Sequence, residues 1–197
     1  MLIQAPSLTV SAGGVGAFDV VLVNTNPSGG EGFDVAGFQV VLSLSGLPGV
    51  VFTGASIETD PTAAPYLFVS SATTLPNGPP LSADAFPNTQ FSALDIEFAG
   101  PGFRTVGPGE TFGLAHVSFS VDPGAAAGVY SLVISPSTDS LLTDVTGNLV
   151  PFEVVNGSII VVAEIPEPWS LTQGGISLAI SIWLLRRRGW SPRPRRS

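Results

Sequence analysis

The sequence LAHVSFSV, residues 114–121, decides the fold class of this protein. In an extended chain, the apolar residues at alternate positions from Ala115 to Val121 lie on one face, and His116 and two serines lie on the other. Alternation with a period of two residues predicts a β-strand that buries one face and exposes the other. The chain therefore contains at least one half-buried sheet.

The same alternation predicts strands elsewhere in the chain. Phe38 begins a second alternating stretch, FQVVLSLS, and a third places Leu94, Ile96 and Phe98 on an apolar face. In the third stretch we expect Asp95 and Glu97 to face solvent. Other apolar runs predict strands at residues 8–10, 18–23, 50–57, 66–70, 129–134, 151–155 and 158–162.

Composition agrees with an all-β body. The 197 residues include 23 Gly and 18 Pro, and only 11% are charged, which suits short strands joined by tight turns. The dipeptide Asn156-Gly157 lies between two apolar runs and predicts a type I′ hairpin turn. About nine short strands at this spacing favour one two-sheet sandwich, which we place at residues 1–162.

Charge is distributed unevenly along the chain. Up to Ala163, thirteen acidic residues oppose Arg104 alone and give a net charge of −12, whereas from Glu164 onward six arginines oppose two glutamates and give +4. An acidic, lysine-free body repels phosphate backbones, so nucleic acid is excluded as an expected partner. The absence of cysteine excludes disulfides, thiolate catalysis and cysteine-based zinc sites.

The residues offer little support for an enzyme. His116 is the single histidine, and no Gly-x-Ser-x-Gly motif accompanies it, so we expect an exposed strand residue rather than a catalytic base. Glu58 with Asp60, or Asp95 with Glu97, could form a glycosidase pair, because alternate strand positions give a suitable separation. Solvent-facing acids are the simpler interpretation, so a non-catalytic body is predicted and a secreted glycoside hydrolase is the remote alternative.

Calcium is the cofactor that the sequence could accommodate. Asp139, Asp144 and Asn148 offer oxygen ligands in one loop-rich segment. The spacing of an EF-hand loop is absent, and Asp and Asn are also ordinary turn residues. We therefore expect no cofactor and keep these three residues as weak calcium candidates.

The C-terminal region changes character. Residues 163–168 form a linker that contains Pro166, Glu167 and Pro168, residues 169–188 combine an uncharged stretch with Arg186, Arg187 and Arg188, and residues 189–197 form a basic tail. Seventeen uncharged residues at helical rise cover about 25 Å, close to the roughly 30 Å of a bilayer core. The sequence predicts a C-terminal transmembrane helix with its arginines in the cytoplasm and the body on the opposite side.

This ordered tripeptide, apolar span and arginine cluster resembles the bacterial PEP-CTERM sorting signal. The resemblance implies that an exosortase, a membrane peptidase, recognises Pro166, Glu167 and Pro168 and releases the body to the cell surface or extracellular matrix. The two prolines suit this role because they keep the backbone extended. An uncut, membrane-anchored surface protein is the alternative. Export also requires an N-terminal signal that residues 1–6 do not provide, so we expect the natural start to lie upstream.

Several segments of the body resemble cohesins and related carbohydrate-binding sandwiches. They are residues 7–10, 18–22, 35–42, 114–121 with a hairpin to 123–130, 144–149 and 156–159. The resemblance implies a jelly-roll-like sandwich of about nine strands that binds protein or polysaccharide, but it transfers no binding residue. Aromatic residues such as Phe38, Phe98 and Phe119 fall on apolar faces and are expected in the core.

Overall fold

β-Strands make up all the regular secondary structure in the part of the chain that the computed structural model describes, which is residues 1–68, 82–85, 89–97, 102–135 and 139–163. These residues form fourteen strands: β1 (Leu2–Gln4), β2 (Ser7–Ser11), β3 (Val15–Val23), β4 (Phe33–Val35), β5 (Gly37–Ser45), β6 (Val50–Ser56), β7 (Ser82–Ala85), β8 (Gln90–Ile96), β9 (Arg104–Val106), β10 (Thr111–Val121), β11 (Gly128–Ile134), β12 (Leu141–Thr143), β13 (Glu153–Val155) and β14 (Gly157–Val162).

The strands form the predicted two-sheet sandwich. Sheet A has the order β13-β1-β3-β10-β6, and sheet B has the order β2-β14-β11-β5-β8-β7, with β12 also pairing with β5. Strands β4 and β9 form a separate two-stranded sheet. More strands occur than the nine expected because the chain repeatedly changes sheets within one extended run, as it does between β1 and β2 and between β13 and β14.

The decisive stretch lies in β10, in the interior of sheet A, and behaves as predicted. Ala115, Val117, Phe119 and Val121 are each at most 3% exposed, while His116 and the two serines face outward. Phe119 packs against Phe18 in the same sheet, with ring centroids 6.0 Å apart. Phe38 is also buried as expected, and Phe98 lies outside the described residues.

The predicted orientation of β8 was wrong. Asp95 and Glu97 are 3% and 7% exposed, whereas Leu94 and Ile96 are 41% and 44% exposed. The register with β5 explains the reversal, because Asp95 lies opposite the buried Phe38 and paired residues share a face. Phe91 occupies the same inward face, so burying its ring commits Asp95 to the interior.

The predicted hairpin at Asn156-Gly157 was also wrong. β13 pairs in parallel with β1 in sheet A, while β14 pairs with β11 and β2 in sheet B, so the chain crosses between sheets at Asn156. The side chain of Asn156 accepts a 2.9 Å hydrogen bond from the N–H of Ile134. Gly157 is not among the glycines with positive φ, so it is needed for space rather than for turn geometry.

Two other expectations need correction. β10 and β11 lie in different sheets, so residues 123–130 cross the sandwich instead of completing a hairpin with residues 114–121. In the predicted strand 66–70, Tyr66 makes one isolated bridge with Gly113, Leu67 and Phe68 are in a turn, and residues 69 and 70 lie outside the described part.

The body forms one compact unit, Met1–Ala163. Apart from Ala163, the predicted linker 163–168 lies outside the described residues, as do the predicted transmembrane helix and basic tail, and all three stay predictions. Within the described ranges, no helix is both long enough and apolar enough to span a membrane.

Gly157→Ala tests the packing at the sheet crossing. A Cβ at this position would lie 2.0 Å from the carbonyl oxygen of Pro6, which is backbone and cannot rotate away. We expect the substitution to lower the free energy of unfolding, measured by urea denaturation, by about 1–3 kcal/mol or more.

Gly54→Ala is the matched control. Gly54 also lies in a strand, has no positive φ, and has no atom within 4 Å of its potential Cβ. A stabilisation of up to about 1 kcal/mol is expected there, because alanine restricts the unfolded chain. Equal effects of the two substitutions would contradict the proposed role of Gly157.

Candidate binding face and buried acidic pair

The outer face of sheet B carries little charge, and its edge strand β7 contains one acid, Asp84, which pairs with Ser92 of β8. On β2, β14, β11, β5 and β8, the outward residues whose side chains are described include no charged residue. They are Ser7, Thr9, Ser11, Ser158, Ile160, Val162, Val129, Ser131, Val133, Gln39, Ser43, Ser45, Gln90, Ser92, Leu94 and Ile96. In a body with a net charge of −12, such a face is a candidate interaction surface.

Leu94 and Ile96 are the most exposed aliphatic residues on β8, and we call this pair the β8 patch. Leu94 pairs with Gln39 of β5, and Gln39 pairs on its other side with Leu141 of β12. Leu141 lines a cavity of about 330 Å³ together with Ser140, Leu142, Leu149, Val150, Pro151 and Phe152. The cavity therefore begins about two strand spacings, roughly 10 Å, from the patch.

A hydrogen-bonded acid lies in the core directly behind the β8 patch. The hydroxyl of Tyr66 donates to Asp95 Oδ2, and the N–H of Ile96 donates to Asp95 Oδ1 at 2.7 Å. Burial raises the pKa of the Asp95 carboxyl above its ordinary value, and the nearby Glu97 raises it further. Burial also raises the pKa of Tyr66, and its hydrogen bond to Asp95 raises it further.

His116 is paired, which the sequence analysis missed. Its Nδ1 lies 2.7 Å from Asp19 Oδ1, and the two side chains are 33% and 17% exposed. Asp19 Oδ2 accepts a 2.8 Å hydrogen bond from the N–H of Asp60, so the pair also holds the loop that follows β6. Asp19 precedes His116 by 97 residues, and only the register of β3 with β10 brings them together.

Ser56 completes a row of Asp19, His116 and Ser56 across three neighbouring strands of sheet A. This order is that of a serine hydrolase triad, but such a triad needs a hydrogen bond between serine and histidine. Across the described residues, Ser56 Oγ instead accepts from the N–H of Glu58 at 3.2 Å and makes no hydrogen bond with His116. The row therefore contains the residue types of a triad but lacks the hydrogen bond between serine and histidine.

The candidate carboxylate pairs differ in accessibility. Glu58 and Asp60 are exposed, and Asp60 Oδ1 caps its own turn by accepting from the N–H and hydroxyl of Thr62. Those hydrogen bonds lower the pKa of Asp60. Asp95 and Glu97 point into the core, so a polysaccharide on the surface cannot reach them.

The three calcium candidates are not gathered around a common point. Asp144 Oδ1 accepts hydrogen bonds from Thr146 N, Thr146 Oγ1 and Asn148 N at 2.7–2.9 Å, which lowers the pKa of Asp144. Strand β12 separates this loop from Asp139. Among the residues that the structure describes, no group of three or more acidic or histidine side chains is arranged to hold a metal ion.

The sequence analysis also predicted a set of sorting residues. Pro166, Glu167 and Pro168, and the cluster Arg186, Arg187 and Arg188, lie outside the described residues. Their roles stay predictions from the sequence.

No protein-family model matches this chain, and no curated protein is significantly similar to it. Solved structures do match. The third cohesin of ScaC from Acetivibrio cellulolyticus, solved in complex with the ScaB dockerin, is 14% identical with a TM-score of 0.60, and the match covers 82% of this chain and 99% of that one. The body has a cohesin-like fold.

Other cohesins give the same result. The seventh ScaB type I cohesin from Pseudobacteroides cellulosolvens is 18% identical with a TM-score of 0.57, and the match covers 84% of this chain and 94% of that one. A non-cellulosomal cohesin from the archaeon Archaeoglobus fulgidus is 16% identical with a TM-score of 0.54, over 82% and 90% of the two chains. The cohesin-like sandwich predicted from the sequence is thereby confirmed at the level of fold.

Asp95→Asn tests the buried acid through the pH dependence of stability. Because the folded-state pKa of Asp95 is raised above its ordinary 3.8, the folded protein binds the proton more tightly and stability falls as pH rises from about 4 towards the raised pKa. The variant lacks this loss. The difference in free energy of unfolding between Asp95→Asn and the parent should therefore grow from pH 4 to pH 7 in urea titrations.

The pKa values of Asp60 and Asp144 are lowered, so these two groups reduce stability only as the pH falls below about 4. They therefore do not affect the comparison between pH 4 and pH 7. Tyr66→Phe provides the control, because it removes the hydroxyl donor and leaves the carboxylate less satisfied. It should cost about 1–3 kcal/mol with Asp95 present and clearly less in the Asp95→Asn background. A pH-independent difference, or additive effects of the two substitutions, would count against the assignment.

Proposed function

We propose that this protein is an exported, non-catalytic binding module whose cohesin-like body recognises a protein partner through the β8 patch on the outer face of sheet B. The observation that carries this proposal is the β8 patch: two exposed aliphatic side chains, 41% and 44% accessible, next to strand β5, whose described outward side chains are uncharged. Interfaces deplete charged residues at their centres and place apolar anchors in pockets. The cavity that begins at Leu141 offers such a pocket.

Two further observations favour a protein over a polysaccharide. Sugar-binding surfaces commonly stack aromatic rings on the sugar, yet every aromatic residue with a described side chain is buried or half-buried. One structural relative, the ScaC cohesin, was solved in complex with a dockerin, which is a protein partner. Polysaccharide binding is the alternative that the experiment below also tests.

We further propose that the C-terminal region sorts the body to the cell surface or matrix. Its support is the order of Pro166-Glu167-Pro168, an uncharged stretch and Arg186-Arg187-Arg188, which resembles a PEP-CTERM signal. An exosortase-type membrane peptidase is the proposed processing partner. A permanently anchored surface protein is the second candidate, because the same apolar stretch could hold an uncut chain in the membrane.

Mass spectrometry of the chain from a host with an exosortase tests the sorting proposal. A mature C-terminus near residues 165–168 is expected in the surface or extracellular fraction. Replacing Pro166, Glu167 and Pro168 with alanine should retain the full chain in membranes, whereas replacing the nearby Ser170 should not. An intact Arg186–Arg188 segment in the unaltered protein would instead favour the permanent anchor.

Site-specific crosslinking tests the binding proposal, and the absence of cysteine makes it selective. A photo-crosslinker on Leu94→Cys should form an adduct with a cell-surface component, while the same reagent on Thr9→Cys, at the far edge of sheet B, should form little. Loss of the adduct on protease treatment of the captured component supports a protein partner. An adduct destroyed only by polysaccharide-degrading enzymes, or equal labelling at both positions, would overturn the proposal.

A further inference from the structure

Three loops meet at one end of the sandwich, which we call the neutral end: residues 11–14, 46–49 and 122–128. The N–H of Gly13 donates to the carbonyl of Asp122 at 3.3 Å, and the N–H of Asp122 donates to the carbonyl of Gly49 at 2.7 Å. These loops consist mainly of Gly, Ala and Pro. Asp122 is their single acid, and one of its carboxylate oxygens accepts from the N–H of Gly124 at 2.6 Å.

Exposed aliphatic side chains surround these loops. Val129 and Ile160 are cross-strand partners near the end of sheet B, and Leu47 approaches within 3.4 Å of the position of a Cβ on Gly128. The group comprises Val15 (79% exposed), Leu47 (49%), Val129 (58%), Ile160 (37%) and Val162 (40%). The neutral end is therefore both nearly free of charge and rich in exposed apolar surface.

The opposite end carries most of the acidic residues. There the loops after β3, β6, β9 and β12 meet, joined for example by the N–H of Asn24 donating to the carbonyl of Glu110 at 3.0 Å. The acids at or near this end are Glu31, Asp34, Glu58, Asp60, Glu110, Asp144 and Glu153. Strands β3 and β5 span nine residues each, which separates the two ends by about 30 Å.

The described chain also finishes at the neutral end. Strand β14 runs towards it, with Val162 paired to Ser11, and the N–H of Ala12 donates to the carbonyl of Val162 at 3.2 Å. The sequence that follows contains the uncharged stretch 169–185 and the six tail arginines. The sequence proposed to enter the bilayer thus follows, along the chain, a strand that ends at the neutral end.

We propose that the neutral end is a lipid-contacting surface, which rests against the bilayer while the uncut C-terminal segment holds the body there. This inference rests on the membrane segment of the proposed function. Exposed valine, leucine and isoleucine side chains gain free energy by entering the headgroup boundary. The acidic end would stand about three Debye lengths from anionic headgroups, since the screening length is about 10 Å at 0.1 M salt, so repulsion of the strongly negative body is small in this orientation.

The test uses the full chain with a single polarity-sensitive fluorophore, since no native cysteine competes for labelling. One variant carries the label at Val129→Cys in the neutral end, and the matched variant carries it at Leu94→Cys in the β8 patch, where a similarly exposed aliphatic residue lies on the same sheet. Both are reconstituted into phosphatidylethanolamine–phosphatidylglycerol vesicles. We expect several-fold brightening and quenching by lipid-borne quenchers at position 129, and no comparable response at position 94.

The three tryptophans, Trp169, Trp183 and Trp190, report separately on the C-terminal segment, because the body contains none. If their emission shifts to shorter wavelength and the two labels respond alike, the lipid-contacting surface is wrong while the membrane segment stands. If the tryptophan emission does not shift, the proposed membrane segment is wrong. If the label at position 129 also shows no change in fluorescence, the proposed lipid-contacting surface is wrong as well. Brightening at position 129 that depends on protein concentration without vesicles would overturn it in favour of self-association.

Discussion

Phe52 of sheet A packs edge-on against Phe91 of sheet B, with ring centroids 6.3 Å apart, and this contact fixes which residues of β8 face the core. Successive strand residues point to opposite faces, so an inward Phe91 makes Ala93, Asp95 and Glu97 inward as well. Leu94 and Ile96 must then face solvent. The exposed β8 patch and the buried acid behind it are two consequences of one inter-sheet contact.

A one-residue slip of β8 would bury Leu94 and Ile96 and release Asp95 to water, but it would also expose Phe91. The observed register keeps the larger ring inside and satisfies the carboxylate with the hydroxyl of Tyr66 and the N–H of Ile96. Tyr66 reaches this position because its segment bridges to Gly113 of β10. The same register therefore both buries Asp95 and exposes Leu94 and Ile96.

Sequence periodicity was sufficient where one strand face is uniformly apolar, as in β10, and this established the sandwich and its fold class. It failed in β8 because both faces of that strand contain apolar residues, so the choice depends on packing with Phe52, which is distant in sequence. The hairpin predicted at Asn156-Gly157 was wrong for a similar reason. The local preference for a turn was outweighed by the parallel pairing of β13 with β1 and of β14 with β2. The pairing of His116 with Asp19 needed the strand register as well.

The separation of charge between the two ends was present in the sequence but could not be interpreted without topology. The turns LPG and PGAAAG lack charge, while Glu31, Glu58 and Glu110 lie in other turns, and only the strand directions show which turns share an end. The topology also separates the β8 patch from the neutral end. Gln39, the partner of Leu94, lies six residues along β5 from Ser45 at the neutral end, which corresponds to about 20 Å. A body held against lipid by the neutral end would therefore keep the β8 patch clear of the headgroups, so membrane contact and partner binding need not compete.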